Sequence, residues 1–444
     1  LKIAIIGGGA AGMTAASRIK RLRPGWDVKV FERAAYVSHA PCGVPFYVSG
    51  FVRDISELCA YEIDFFKEKR GIDVHPRARV VKVGRGFLKV IEKRNNESYE
   101  NTYEWDRLLF ATGTRASPLN VNCEELEGVL CIHYIENGER VKKMATKIEK
   151  IVIIGSGYIG VEMSEAFSRL GKKVILIEKE KKPIPDFDPE IGSILKRKLE
   201  EKVKARFNEE VISIEGKDKV EKVVTDKGKY KCEMVIIAVG EVPNVELAKD
   251  LGVKLGKSGA IETNSRMETN IKGVYAAGDC AETVNIVTGE KDWIPLAAPA
   301  NKMGYVAGVN IAGYEMEFPG AVRSQLTSFY NLEIGRAGLS EKEALKKGFD
   351  PISATITMKS TAKYIPNGDI TIKLVADSNG KVLGVQAAGT GVAKRIYAAA
   401  SLLYKKSTVE DFFFADLPYY PPESRVWDPL VVAARNLFRK LGMP

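Results

Sequence analysis

Short apolar runs that end in glycine loops set the pattern of this chain. Ile3-Ala4-Ile5-Ile6 leads into Gly7-x-Gly9-x-x-Gly12, and Ile151-Val152-Ile153-Ile154 leads into Gly155-x-Gly157-x-x-Gly160. Unbroken apolar runs of this length read as strands buried on both faces, as in a parallel sheet. Each loop opens a helix-compatible stretch, Ala10 to Leu22 and Tyr158 to Leu170. Each helix precedes a second strand that ends in an acid: Val28-Lys29-Val30-Phe31-Glu32 and Val174-Ile175-Leu176-Ile177-Glu178. One such glycine pattern is weak. Two, each with strand, helix, strand and terminal acid, predict two Rossmann-like units.

Further apolar runs close each unit. Arg107 to Gly113 ends the first and Met234 to Gly240 the second, while Gly273-Val274-Tyr275-Ala276-Ala277-Gly278-Asp279 predicts a return to the first. From about Arg323 the pattern becomes alternating, as in Asp369 to Val375. A turn at Ser378-Asn379-Gly380 follows, then Val382-Leu383-Gly384-Val385 and a helix-like Val392 to Lys405. The expected architecture is α/β: two Rossmann-like dinucleotide-binding domains plus a C-terminal α+β domain. The expected boundaries are 1–112 with 241–322, then 113–240, then 323–444.

Composition narrows the setting. The 444 residues are 45% hydrophobic, as in an ordinary globular protein with a large core. No apolar run is long enough to span a bilayer, and the first residues enter a strand directly, leaving no room for a signal peptide. The six cysteines (42, 59, 123, 131, 232, 280) form no CxxC pair and no zinc spacing, so a reducing cytoplasm and no metal site are expected. The net charge of +10 fits a solvated basic surface or a basic entrance for a phosphorylated substrate. Nucleic acid is not expected, because no basic tail or basic run with interleaved aromatics occurs. The two glutamines, Gln325 and Gln386, against many Lys and Glu resemble a thermophile's composition.

The glycine loops carry the first chemistry. Glycines allow a tight turn and let backbone N–H groups approach a pyrophosphate, and a helix N-terminus adds a favourable dipole. Glu32 and Glu178 are placed to accept hydrogen bonds from an adenosine ribose. Glu178 repels a 2′-phosphate and favours NADH. Lys179 and Lys181 soften that preference, so NADPH stays open.

These features together resemble the two-dinucleotide-binding flavoprotein disulfide reductases, over essentially the whole chain. The resemblance rests on the two glycine loops, Ala111-Thr112-Gly113 and Val274 to Asp279. It implies FAD at Gly7, Gly9, Ala10, Ala11, Gly12, Glu32, Arg33, Ala111, Thr112, Gly113, Gly278, Asp279 and Ala297. It implies NAD(P)H at Gly155, Gly157, Tyr158, Ile159, Gly160, Glu178 and Gly240. Cys42, in Ser38-His39-Ala40-Pro41-Cys42-Gly43, is the expected redox centre. Members with a cysteine pair hold four residues between the two, but here the fifth residue after Cys42 is Tyr47 and the fifth before it is Val37. Those members also use a C-terminal His, whereas the three histidines here are His39, His75 and His133.

The branch that remains resembles coenzyme A disulfide reductase and its relatives, the NADH oxidases and peroxidases and the NAD(P)H sulfur or polysulfide reductases. The oxidases and peroxidases typically place a His in the first glycine loop, which here reads Gly7-Gly8-Gly9-Ala10-Ala11-Gly12. That favours a disulfide substrate, with oxygen and sulfur chains as the alternative acceptors. Transfer of electrons to a protein partner is disfavoured, because no iron–sulfur cysteine spacing continues the relay. The resemblance implies a coenzyme A site at Thr14, Arg18, Arg21, Ser38, Arg70 and Asn301, of which Thr14, Arg18 and Arg21 share one helix face. It implies a homodimer in which Tyr419 and Tyr364 reach the partner's active site as acid–base groups. A mixed disulfide of Cys42 with coenzyme A is the expected resting form. The Cys42 pKa is expected below the free value of about 8.5, through nearby helix ends. Pro41, where relatives carry Asn, and Trp427, where they carry a basic residue, depart from the pattern. Cys59, Cys123, Cys131, Cys232 and Cys280 are read as structural.

Overall fold

The computed structural model describes residues 1–95, 97–121 and 126–442; Cys123 lies outside the described residues. Two five-stranded parallel sheets repeat one plan. The first has the order Val274–Ala276, Arg107–Phe110, Lys2–Ile6, Asp27–Phe31, Asp73–His75. The second has the order Lys204–Phe207, Lys173–Glu178, Lys150–Ile154, Met234–Ile237, Val129–Cys131. In both, the apolar run before the glycine loop is the central strand. Its neighbours pair in parallel on either side, Ile5 opposite Val30 and Leu109, Ile153 opposite Leu176 and Ile236. Ile5, Leu109 and Ile153 are fully buried, which accounts for the absence of alternation in these runs.

The expected return of the chain to the first sheet is observed, with Val274–Ala276 pairing with Leu108–Phe110. Where the chain passes between the sheets, Thr114–Ala116 and Glu241–Pro243 form an antiparallel pair. The sequence reading did not include this ribbon. It also missed two three-stranded meanders, 78–104 and 211–231, whose strands Glu97–Glu104 and Val211–Gly216 are largely solvent-facing.

The C-terminal part forms a five-stranded antiparallel sheet in the order Gln325–Phe329, Leu332–Gly338, Val382–Gly389, Asp369–Asp377, Pro351–Lys359. The turn expected at Ser378-Asn379-Gly380 joins the strands Asp369–Asp377 and Val382–Gly389. Helices Val392–Tyr404 and Pro429–Lys440 cover one side, burying Ile396, Leu430 and Leu437. Among the described residues no helix is long and apolar enough to cross a membrane.

Candidate active site

The two glycine loops open onto one cleft of about 2190 Å³. Helices Ala10–Leu22 and Tyr158–Arg169 both start at glycine, with no side-chain cap and no acid in the first turn. Their first N–H groups are therefore free for an anionic ligand. The three glycines of each loop act differently. Gly7 and Gly155 have φ of +107° and +96°, and a Cβ there would stand 2.1 Å from the Ala111 oxygen or 2.3 Å from that of Ala238. Gly9 and Gly157 have nothing within 4 Å, so the space beside them is open to a pyrophosphate. Gly12 and Gly160 do not line the cleft. A Cβ there would sit 1.9 Å and 2.0 Å from the carbonyl oxygens of Gly7 and Gly155, so these glycines let the helix pack on the strand turn.

Each strand-end acid is fixed by its own loop. Glu32 accepts from Gly8 N at 2.7 Å and Ala34 N at 2.8 Å. Glu178 accepts from Ser156 N and Oγ at 2.7 and 2.8 Å, and from Glu180 N at 2.9 Å. The rest of the expected cofactor set, from Ala10 and Ala11 through Arg33, Ala111, Thr112, Gly113, Gly278, Asp279 and Ala297 to Tyr158, Ile159 and Gly240, lines the same cleft.

The ribbon supplies residues that the motifs did not reveal. Asn244 donates to the carbonyls of Thr112 and Thr114 at 2.8 and 2.7 Å, and Thr112 Oγ1 donates to Asn244 O at 2.6 Å. Thr114 Oγ1 donates to Glu241 at 2.6 Å, and Trp293 Nε1 donates to Asp279 O at 2.7 Å. Asp279 keeps one buried oxygen without a partner. Burial, with the charge of Glu241, pushes its pKa up to about 7. A buried acceptor aimed into a glycine-lined cleft fits the polyol and phosphate part of FAD.

Cys42 lines this cleft, exposed, in the 3₁₀ turn Pro41–Gly43. Pro41 opens that turn at its first position, where a missing N–H costs nothing, which gives the unexpected residue a structural reason. The expected activation of the thiol is not observed. Although the residue is exposed to the cleft, partial desolvation by the cleft walls and the charge of Glu162 push the Cys42 pKa up, opposed only by a backbone hydrogen bond. Glu162 is held by Thr327 Oγ1 at 2.7 Å, and burial raises its own pKa.

Thr14, Arg18, Arg21, Ser38, Arg70 and Asn301 also line the cleft. Ser38 takes a left-handed φ of 51°, uncommon for a residue with a Cβ. Tyr364 and Tyr419 lie outside the cleft of their own chain, 71% and 48% exposed, with hydroxyls 3.4 Å apart. Buried Arg395 ties their segments together: it bonds Ser360 O at 2.9 Å, Glu423 O at 3.3 Å and Asp428 Oδ2 at 2.8 Å. Trp427 stacks on Phe413 and lies under Arg435. Of the other cysteines, Cys232 and Cys280 are buried, whereas Cys59 and Cys131 are half-buried.

Residues 1–304 match the pyridine nucleotide-disulphide oxidoreductase family, and 324–430 match that family's dimerisation domain. The chain belongs to this family. As a member it is a flavoprotein that uses FAD and NAD(P)H. It is 48% identical over 440 residues, 98% of each chain, to a CoA-dependent NAD(P)H sulfur oxidoreductase of Pyrococcus abyssi. It is 27% identical over 437 residues, 96% of this chain and 97% of the other, to a coenzyme A disulfide reductase of Staphylococcus aureus. An NAD-dependent persulfide reductase from A. fulgidus superposes with a TM-score of 0.94 at 33% identity, over 100% of this chain and 84% of that one.

Proposed function

We propose that this flavoenzyme uses NAD(P)H to cleave a sulfur–sulfur bond carried by coenzyme A, with coenzyme A disulfide as substrate and Cys42 as the only redox-active cysteine. The observation that carries this reading is the placement of Cys42 in one cleft with both glycine loops and with Thr14, Arg18 and Arg21. Gly7, Gly9, Glu32 and Asp279 would hold FAD, and Gly155, Gly157 and Glu178 would hold NAD(P)H, with Glu178 favouring NADH. Domain limits of 1–112 with 241–322, 113–240 and 323–444 follow the two sheets and the ribbon between them.

Bound FAD supplies the relay that carries two electrons from NAD(P)H to sulfur. The Cys42 thiolate attacks one sulfur of the disulfide, forms a mixed disulfide with coenzyme A and releases the other half as a thiolate. Two electrons then cleave the mixed disulfide, and the second coenzyme A leaves as Cys42 returns to thiolate. Each departing thiolate takes a proton, which Tyr419, aided by Tyr364, would donate from the partner subunit of a homodimer. Their exposure outside their own cleft and the match to a dimerisation domain support this assembly.

A second reading keeps the site and changes the acceptor. The sulfur and persulfide reductases among the relatives favour a coenzyme A persulfide or polysulfide, in which Cys42 attacks the sulfur chain. NADH oxidation with coenzyme A disulfide, coenzyme A persulfide and oxygen as separate acceptors discriminates the two readings. The variant Cys42→Ser should keep bound FAD and its reduction by NADH, yet lose turnover of either sulfur acceptor by at least about 100-fold. Retained turnover would reject the mechanism.

A further inference from the structure

Two helices that line the cleft touch backbone to backbone. A Cβ on Gly304 would lie 2.3 Å from the Ala11 oxygen; one on Gly308 would lie 2.8 Å from the Ala15 oxygen and 3.0 Å from Cβ of Arg18. Only glycine at these two places lets Ala297–Ile311 come so close to Ala10–Leu22. The close approach brings the adjoining rows of side chains together. Thr14 Oγ1 donates to Asn301 Oδ1 at 2.8 Å, and the Arg18 guanidinium lies over the Tyr305 ring, 4.6 Å from its centre. Arg18 Nε is buried without a hydrogen-bond partner. Among the described residues no carboxylate pairs with Arg18 or Arg21, although carboxylates answer many of the other arginines. Tyr305 itself is 37% exposed and lines the cleft.

We infer that Tyr305 is a positioning residue for the phosphate-bearing end of the substrate. The ring takes one face of the Arg18 guanidinium. Stacking consumes no N–H, so the edge of the guanidinium stays free for a phosphate and its other face for a purine. A long side chain loses rotamer freedom when it binds an anion, and a guanidinium already resting on a ring has lost much of that freedom beforehand. The two unpaired cations, Arg18 and Arg21, on one helix face suit a ligand with more than one phosphate. This inference rests on the coenzyme A reading and adds to it the residue that makes the site selective for the nucleotide half.

The test compares coenzyme A disulfide with pantethine, which has the same disulfide arm without the adenosine phosphates, on the FAD-loaded enzyme. Tyr305→Leu should raise KM for coenzyme A disulfide by roughly 5- to 20-fold with kcat within about twofold, so that the preference over pantethine falls by the same factor. Tyr305→Phe keeps the ring face and should restore the wild-type KM. An unchanged preference in Tyr305→Leu overturns the inference, as does an equal loss on both substrates or a failure of Tyr305→Phe to restore KM. Equilibrium binding of reduced coenzyme A separates the two levels. A wild-type enzyme that does not bind coenzyme A overturns the parent reading along with this one. Binding that is tight in wild type and equally tight in Tyr305→Leu overturns this one alone.

Discussion

Cys42 shows how a residue's surroundings can oppose its chemistry. A thiol needs deprotonation to attack sulfur, yet partial desolvation in the cleft and the charge of Glu162 both hold its proton on. Removing that charge should lower the thiol pKa. In flavin-free protein at pH 7.5, Glu162→Gln should be alkylated at Cys42 by iodoacetamide several-fold faster than wild type. Equal rates at every pH would assign the shift to burial alone. Asp279 shows the same conflict in a carboxyl group, with a native pKa of about 7. Between about pH 4 and 7 the native flavin-free chain keeps a proton on Asp279 that the unfolded chain has lost, so this group's contribution falls as pH rises. The loss is at most about 4 kcal/mol, and Asp279→Asn should remove it. Melting temperatures of the flavin-free proteins at pH 5 and pH 8 check this: wild type should lose more than the variant over that interval.

Secondary elements explain why the glycines were readable and much of their setting was not. The strand, glycine loop, helix and terminal acid of each unit fall inside about thirty residues, which is why they were legible in the sequence. The ribbon of Thr114–Ala116 with Glu241–Pro243 joins segments far apart in sequence, and Glu241 in it and Asn244 just after it carry no local pattern. The rise in the Cys42 pKa was hidden for the same reason, since Glu162 is remote in sequence. Trp293 against Asp279 and the two meanders are local, but they carry no motif, and the strands Glu97–Glu104 and Val211–Gly216 bury too little to show a clear apolar pattern. Local reading also counted all three glycines of a loop as cofactor-binding, where their contacts assign three roles: a tight turn, open space for the ligand and helix packing. Gly12→Ala should fail at packing, because its Cβ meets the Gly7 oxygen at 1.9 Å. A flavin-free protein destabilised by about 1–3 kcal/mol or more is expected. Gly9→Ala has open space and should fold with an unchanged melting temperature, yet hold less FAD per chain after purification. Comparable melting losses in both variants would contradict this division.

Over the whole molecule, the proposed donation of tyrosines across subunits would require the C-terminal domain to stand in a fixed relation to the nucleotide units, because its loops hold the exposed Tyr364 and Tyr419 away from their own cleft. A buried polar cluster makes the junction. Lys373, in the strand Asp369–Asp377, lies 3.3 Å from Asp188, 3.0 Å from Glu190 and 2.6 Å from Glu341. Asp188 precedes the helix Pro189–Lys202 of the second unit and also accepts from Gln386 Nε2 at 2.9 Å and Glu341 N at 3.0 Å. The side chains of Lys373 and Asp188 are only 2% and 4% exposed, so neither charge has water to replace its partner. Removing the amine leaves a buried carboxylate without its counter-charge, although Gln386 and the Glu341 N–H still donate to it, and that costs more than the pair itself contributes. Lys373→Met should therefore destabilise the protein by about 3–5 kcal/mol in urea unfolding, and Lys373→Met with Asp188→Leu should recover part of that loss. Glu190 and Glu341 are 47% and 32% exposed and reach water in the double variant. If the junction also sets where the tyrosines stand, the double variant should regain stability without regaining full disulfide turnover. Recovery of both together would make the cluster a matter of stability alone.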